Sequence, residues 1–291
     1  MYEKIEACPL CDERSFENHI IAKDYLVSQE SFAIVSCNNC GFKFTNPRPT
    51  IEDMPGYYKS EEYISHSNKG SSLVNIVYKI ARSFTIKSKI RIVRKYHSSP
   101  RIFDFGCGTG HFLHACAKKG WDCMGYEPDD LAAAQAEKYK GVKIIRDLSD
   151  HTKDKYNVIT LWHVLEHVHQ LKETLTTLRK MLSEKGILVV AVPNMNSWDA
   201  NHYKEYWAGY DVPRHLYHFE KSTILKLMTS LKFRKLEIIP QKLDAFYVSL
   251  LSEKYQNQKN KYIQALNNGL KSNRNGKKDN TYSSLIYIFS K

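Results

Sequence analysis

Apolar and polar positions along this chain follow two rhythms. From Arg101 onward, short apolar runs of strand length recur, and most lead into a stretch with helical spacing. RIFDF precedes HFLHACAKK, and WDCMGYE precedes a helix from about Asp129 to Lys138. VKIIRD and NVITLWH are followed by QLKETLTTLRKML, and GILVVAVP comes next. Apolar or alternating runs of roughly four to eight residues are strand signals, whereas recurrence at about 3.6 residues marks a helix. Strands alternating with helices predict an α/β fold whose parallel sheet is covered on both faces. FRKLEIIPQ and SSLIYIF (Ser283 to Phe289) read as two further strands. Between them, a helical run from about Phe246 to Leu266 is expected to grade into NNGLKSNRNGKKDN, residues 267–280, as a polar mobile loop.

Before Arg101 the pattern is sparser. Phe32 to Ser36 reads as a strand. SLVNIVYKIARSFTIKSKIRIVRKY places Leu73, Ile76, Val77, Ile80 and Phe84 on one helical face, with a rotated continuation at Ile90 and Val93. Three units are expected: a small module over 1–50, a helical connector over 51–100, and the α/β domain over 101–291.

Composition changes this picture little. The 291 residues are 42% hydrophobic, 12% aromatic and 25% charged, which suits a globular chain and excludes disordered or collagen-like classes. The longest apolar run, ILVVAVP, is far short of the roughly twenty residues a membrane span needs. The start, MYEKIEACPLC, lacks the apolar core of a signal peptide, so a soluble, cytoplasmic protein is expected. The formal net charge is +12, and two segments carry it: residues 69–101 hold nine Lys/Arg and no acid, and residues 252–280 hold seven against two acids. The first reads as a helix packed on a domain with a solvated basic face. Contact with an anionic membrane surface or an acidic substrate is the alternative. No nucleic-acid-binding signature accompanies the charge, so nucleic acid is an unlikely partner, though not an excluded one.

Seven cysteines divide four to three. Cys8, Cys11, Cys37 and Cys40 form two C-x-x-C turns, the second followed by Gly41, which is what a tetrahedral zinc site requires. Four thiolates leave no open position, so the zinc would be structural and would hold a module too small to build its own core. Cys116 and Cys123 read as packing residues. Cys107 lies in the glycine-rich turn after RIFDF.

That turn carries the chemistry. Asp104-Phe-Gly106-Cys107-Gly108-Thr-Gly110 has a glycine at every second position, which fits neither the dinucleotide G-x-G-x-x-G nor a P-loop. An acid just before the turn disfavours a diphosphate and suits a ligand with positive charge. Glu127 ends the next strand, where a carboxylate can accept both hydroxyls of a ribose. Asp147 ends the one after, within reach of an adenine amino group.

Together these elements resemble the class I S-adenosylmethionine-dependent methyltransferases, from about Arg101 to Phe289. The resemblance implies a Rossmann-like seven-stranded sheet with helices on both faces, whose last strand runs reversed beside the fifth. It implies a cofactor site at Asp104, Gly106, Cys107, Gly108 and Gly110, with Glu127 at the ribose, Asp147 and Leu148 at the adenine, and His163, in WHVLEHV, at the methionine end. The segment SWDANHYKEYWAGYDVPRHLYHF, residues 197–219, would then overhang the methyl group as an aromatic substrate lid; an aromatic short helix packed on the sheet is the alternative. His215, His218 and His167 are the candidate general bases, and Arg214 is a candidate clamp for a substrate carboxylate or phosphate.

The pattern W-x-x-x-D-x-P-R-H-L-Y-H-F, with the two C-x-x-C turns and the NPRP of residues 46–49, looks like a bacterial branch of these enzymes that carries an N-terminal zinc-ribbon module. That branch implies a small-molecule acceptor, such as a saccharide or another biosynthetic intermediate, methylated at oxygen. Two other readings stand beside it: an RNA-modifying methyltransferase gripping phosphates through the ribbon and basic helix, and a non-catalytic cofactor-binding subunit.

Overall fold

The computed structural model describes residues 1–58, 73–259 and 261–291, with only the backbone of 73–81 and 150. A seven-stranded sheet organises the chain. Its strands are β6 (Arg101–Phe105), β7 (Asp122–Tyr126), β8 (Val142–Ile145), β9 (Tyr156–Trp162), β10 (Leu182–Pro193), β12 (Arg234–Pro240) and β13 (Ser284–Ser290). They lie in the order β12-β13-β10-β9-β6-β7-β8. The pairs from β10 to β8 are parallel, whereas β13 runs antiparallel to both β10 and β12. The expected reversed last strand is therefore in place.

Apolar packing covers both faces. On one side Phe103, Ile159, Leu161 and Val190 meet the helix Leu171–Met181, which buries Leu171, Leu175, Leu178 and Met181 at helical spacing. On the other, Ile102, Val158 and Val189 pack with Phe112, Cys116 and Cys123, the last two fully buried as expected of packing thiols.

The basic helix spans Leu73–Tyr96. It docks through Ile90, Ile92 and Val93, while Phe84 is 62% exposed. The buried face is thus the rotated continuation, and Phe84, expected beside Leu73, Ile76, Val77 and Ile80, lies outside it. The side chains of those four fall outside the described residues. No helix among the described residues is long and apolar enough to cross a membrane.

The segment expected as a mobile loop at 267–280 is helical instead. Helices run Asp244–Asn257 and Tyr262–Asp279, and the second buries Ala265, Asn268, Gly269, Ser272 and Gly276. Its inner face is small or polar rather than apolar, so hydropathy does not reveal it. A Cβ on Gly269 would come within 2.5 Å of the Phe246 ring, and one on Gly276 within 2.9 Å of Tyr282. Ser272 donates to Asp199 (2.6 Å), and Asn268 to Glu253 (2.9 Å). Close approach and buried hydrogen bonds replace an apolar stripe here.

The N-terminal module has a sheet of β2 (Phe16–Lys23), β3 (Ser31–Cys37) and β4 (Lys43–Thr45), plus a short pair, β1 (Tyr2–Glu3) with β5 (Arg48–Pro49). The fourth strand of its main sheet, β11 (Tyr217–His218), comes from the far end of the chain and pairs with β4. Phe42 and Phe44 join Leu216, Tyr217 and Phe219 in the same core as the large sheet. Phe32 and Ile34 close a second seam against Tyr203, Trp207 and Tyr210. Residues 197–219, expected as an aromatic substrate lid or else a packed short helix, hold the helix Trp198–Tyr203, two 3-10 turns and β11, and their large aromatics are mostly buried in these seams.

Candidate functional site

The glycine turn lies where β6 ends. Gly106, Gly108 and Gly110 all have left-handed backbone, with φ of 74°, 54° and 75°. Their surroundings differ. A Cβ on Gly106 would sit 2.6 Å from Val164, and one on Gly110 2.7 Å from Ala136, so both are packing requirements. A Cβ on Gly108 would meet nothing within 4 Å. The middle glycine therefore faces open space, as a ligand cradle must.

Glu127 organises that space. Its Oε2 accepts from Gly108 N–H (2.7 Å) and its Oε1 from Asp129 N–H (3.1 Å). Burial raises its pKa, and these amides act against the rise. Each oxygen retains a further lone pair. Cys107 contributes backbone rather than thiol chemistry: its N–H donates to Tyr126 O (3.0 Å), and its Sγ fills the space a Cβ on Gly125 would take. Asp147 is exposed and accepts from Ser149 N–H (2.9 Å), while Leu148 is half-buried.

Asp104 is buried on β6 and accepts from Thr160 Oγ1 (2.5 Å). Burial pushes its pKa up to about 7, against the pull of Thr160 and Lys89. Lys89, from the basic helix, holds its ammonium 4.4 Å from the Trp162 ring centroid. Burial lowers its pKa to about 8. The basic helix thus delivers one cation to the carboxyl edge of the sheet.

A histidine-rich turn follows β9. His163 takes left-handed backbone (φ 57°), and its ring lies between Asp244 Oδ2 (3.0 Å) and Glu166 Oε1 (3.4 Å). Burial would lower its pKa, but the two carboxylates outweigh this and push it up to about 10. Glu166 is fully buried, and neither carboxylate oxygen has a hydrogen-bond partner.

His167 and His215 face each other, with ring centroids 4.6 Å apart. A carbonyl only accepts, so His215 Nδ1 donates to Gly209 O (2.9 Å), and Nε2 lies 3.8 Å from Asp211 Oδ2. His167 Nδ1 donates likewise to Arg214 O (3.0 Å), with the Tyr58 hydroxyl 2.9 Å from the same nitrogen. Burial, then the neighbouring His215, brings the His167 pKa down to about 4.

His218 is placed differently. Thr45 Oγ1 spends its proton on His215 O (2.8 Å), so His218 Nε2, 3.0 Å away, must be the donor to that hydroxyl. Its ring is a rivet in the seam, with no Nε2 lone pair to offer, and burial holds its pKa well below the ordinary value. Arg214 is likewise not free to clamp a substrate. It is 1% exposed and donates to Asp24 (2.9 Å), Asp211 (2.7 Å) and Tyr57 O (2.9 Å).

The backbone fixes His215 in series. Thr45 N–H donates to Leu216 O (3.0 Å), and Leu216 N–H donates to Glu166 O (2.8 Å). The N-terminal module, β11 and the histidine turn are thereby joined at one point.

In that module the cysteines converge, and one ligand atom from each lies within 4.8 Å of the others. Cys8–Cys40 and Cys11–Cys37 are both 3.6 Å apart at sulfur. A tetrahedral ion with metal–sulfur bonds near 2.3 Å needs sulfurs about 3.8 Å apart. Each turn closes the same way: Asp12 N–H donates to Cys8 O (3.0 Å) and Gly41 N–H to Cys37 O (2.9 Å), with φ of 62° and 73°.

A family model described as "methyltransferase domain" matches residues 79–238, more than half of the chain. The chain belongs to that family. The methyltransferase is similar in structure to a methyltransferase dependent on S-adenosylmethionine from Archaeoglobus fulgidus, with TM-score 0.50 and 19% identity over 72% of this chain and 94% of that one. It is also similar to magnesium protoporphyrin IX methyltransferase from Synechocystis, solved with bound S-adenosylhomocysteine, with TM-score 0.53 and 13% identity over 81% of this chain and 96% of that one. At such identities the likeness is one of fold. Comparison with curated proteins finds no match. The RNA-modifying and non-catalytic readings find no support in these comparisons.

The fold implies S-adenosylmethionine, and the residues fit it. Gly108 leaves the space open, Glu127 borders it through the Gly108 amide, and buried Asp104 and half-buried Lys89 supply groups of opposite sign at the same end of the sheet. Sequence reasoning missed Glu166, Asp244 and Lys89. Glu166 was visible inside WHVLEHV, but nothing in the sequence marks a carboxylate as buried and unpaired.

Proposed function

We propose that this enzyme transfers a methyl group from S-adenosylmethionine to a hydroxyl oxygen of a small-molecule acceptor, such as a saccharide or another biosynthetic intermediate. When bound, the cofactor supplies an electrophilic methyl on a sulfonium. The observation that carries the reading is the middle glycine of the turn, open to solvent, with its amide held by Glu127. Glu127 would accept the ribose hydroxyls, Asp147 and Leu148 would border the adenine, and the turn from His163 would border the methionine end.

The acceptor would sit over the histidine turn. Val164 packs on Gly106, which brings Glu166, His167 and His215 next to the cofactor space. His215, whose Nδ1 is anchored on Gly209 O and whose Nε2 makes no hydrogen bond shorter than its 3.8 Å approach to Asp211 Oδ2, is the base best placed to take the acceptor's proton. General-base assistance of this kind contributes typically about 10²–10⁴-fold, and correct alignment of the reacting atoms as much as about 7–11 kcal/mol. Residues 197–219 would wall the acceptor site as a fixed element, since their aromatics are committed to the seams. A structural zinc at Cys8, Cys11, Cys37 and Cys40 would hold the module that positions His215.

Calorimetric titration with S-adenosylhomocysteine tests the cofactor half. Glu127→Ala should lose about 1.5–3 kcal/mol for each charge-assisted hydrogen bond removed; unchanged affinity would refute the assignment. His215→Ala should keep that affinity and lose turnover across a panel of hydroxylated acceptors. Equal loss of both would make His215 structural.

A further inference from the structure

Besides the four cysteines, one other group of metal-ligating side chains converges among the described residues: Glu166, His167 and His215, each with a ligand atom within 4.8 Å of the others. Glu166 is 0% exposed, and both its carboxylate oxygens lack a hydrogen-bond partner. Oε1 lies 3.4 Å from His163 Nδ1, without the alignment of a hydrogen bond, and Oε2 is unengaged. A buried carboxylate left this way is costly, and such groups call for a specific partner.

The two imidazoles point to what that partner is. Metal-binding histidines almost always donate their other ring N–H to a carbonyl or carboxylate, which fixes the tautomer and aims the free nitrogen. Both rings do so here, His215 Nδ1 to Gly209 O (2.9 Å) and His167 Nδ1 to Arg214 O (3.0 Å). Two imidazoles and a buried carboxylate that faces His163 through Oε1 and leaves Oε2 unengaged, converging together, make a cation site. Arg214 is no competitor for Glu166, because Asp24 and Asp211 hold its guanidinium.

We infer that Glu166, His167 and His215 bind a divalent transition-metal ion, whose open positions take oxygen atoms of the acceptor. Two imidazoles and one carboxylate suit zinc, manganese or iron(II), and three protein ligands leave room for substrate. The acceptor class narrows accordingly to a hydroxyl with a second oxygen on the adjacent carbon, which chelates. This second part rests on the acceptor placement proposed above. Within that placement it transfers activation of the hydroxyl from the His215 ring to the ion, which would lower the pKa of a bound hydroxyl so that its proton passes to solvent water.

The test uses full-length protein loaded with zinc at its cysteines. It is titrated with Mn²⁺ alone while free Mn²⁺ is followed by electron paramagnetic resonance, and S-adenosylhomocysteine affinity is measured on the same samples. Manganese prefers oxygen and nitrogen donors and leaves the thiolates alone. One Mn²⁺ per chain is expected, with affinity reduced about tenfold or more in Glu166→Gln and, as a second variant, His215→Gln. No Mn²⁺ uptake by wild type that still binds S-adenosylhomocysteine overturns the site, as does uptake unchanged in both folded variants. Wild type that takes up Mn²⁺ but not S-adenosylhomocysteine would refute the cofactor reading and leave the metal site standing.

Discussion

Replacing Asp24 with Asn should lower the stability of this methyltransferase by about 3–4 kcal/mol. Asp24 is fully buried in the N-terminal module, and its Oδ1 accepts from Arg214 Nη2 across the seam (2.9 Å). The same oxygen accepts from Leu26 N–H (3.0 Å), and Oδ2 accepts from Ser28 N–H (2.8 Å). Removing one partner of a buried ion pair typically costs about 3–5 kcal/mol. Arg214 keeps Asp211 at 2.7 Å, which places the electrostatic loss at the lower end. The Asn amide nitrogen cannot accept from Ser28, adding about 1 kcal/mol. Urea unfolding of the zinc-loaded protein at pH 7 gives the difference directly, and Arg214→Met alone and in combination completes a double-mutant cycle. Asp24 has a depressed carboxyl pKa, because Arg214 and the turn amides outweigh its burial. Its ionised form therefore stabilises fully above the ordinary value near 3.8, and that contribution disappears as pH falls through the depressed one. The gap between wild type and variant should accordingly close in strong acid. A loss below about 1 kcal/mol at neutral pH, or additive single variants, would refute the claim that this pair joins the two halves.

Three further predictions test the coupling of packing to site. Stripping zinc with a chelator should abolish turnover while largely sparing S-adenosylhomocysteine affinity, because Thr45 and β4 hold His215 whereas the glycine turn belongs to the large sheet; full activity of zinc-free protein would refute this. Gly106→Ala should destabilise by about 1–3 kcal/mol in urea, since its methyl meets Val164, and Val164→Ala should recover part of the loss. Gly108→Ala has open space around its methyl but shares the left-handed backbone, so it should cost about 1–2 kcal/mol of strain without the clash, with the rest of its penalty on cofactor affinity, and equal stability losses at the two positions would contradict the assignment of Gly108 to the ligand side.

The strands from Arg101 to Pro193 were legible because each is a short apolar run bounded by turns or helical spacing, and such runs survive any tertiary context. The cysteine turns were legible for a similar reason, as two cysteines with two residues between them on one tight turn already present both thiols to one point. The helix Tyr262–Asp279 was not legible. Its inner face of Ala265, Gly269, Ser272 and Gly276 buys close approach to Phe246 and Tyr282, and composition alone makes that face look like a solvated loop. Phe84 shows the converse: an apolar residue at helical spacing that the docking angle of the helix leaves in solvent.

The roles of the polar residues divide along the same line. Sequence order alone determined the glycine turn, the acids after the second and third strands of the large sheet and each C-x-x-C turn, because each depends on neighbours a few positions away. Tertiary structure decided how each histidine spends its ring nitrogens, that Arg214 is consumed by Asp24 and Asp211, and that Glu166 is buried without a hydrogen bond. Those outcomes depend on contacts between residues as far apart as Asp24 and Arg214, where hydrogen-bond donors must be shared among acceptors brought together only by folding.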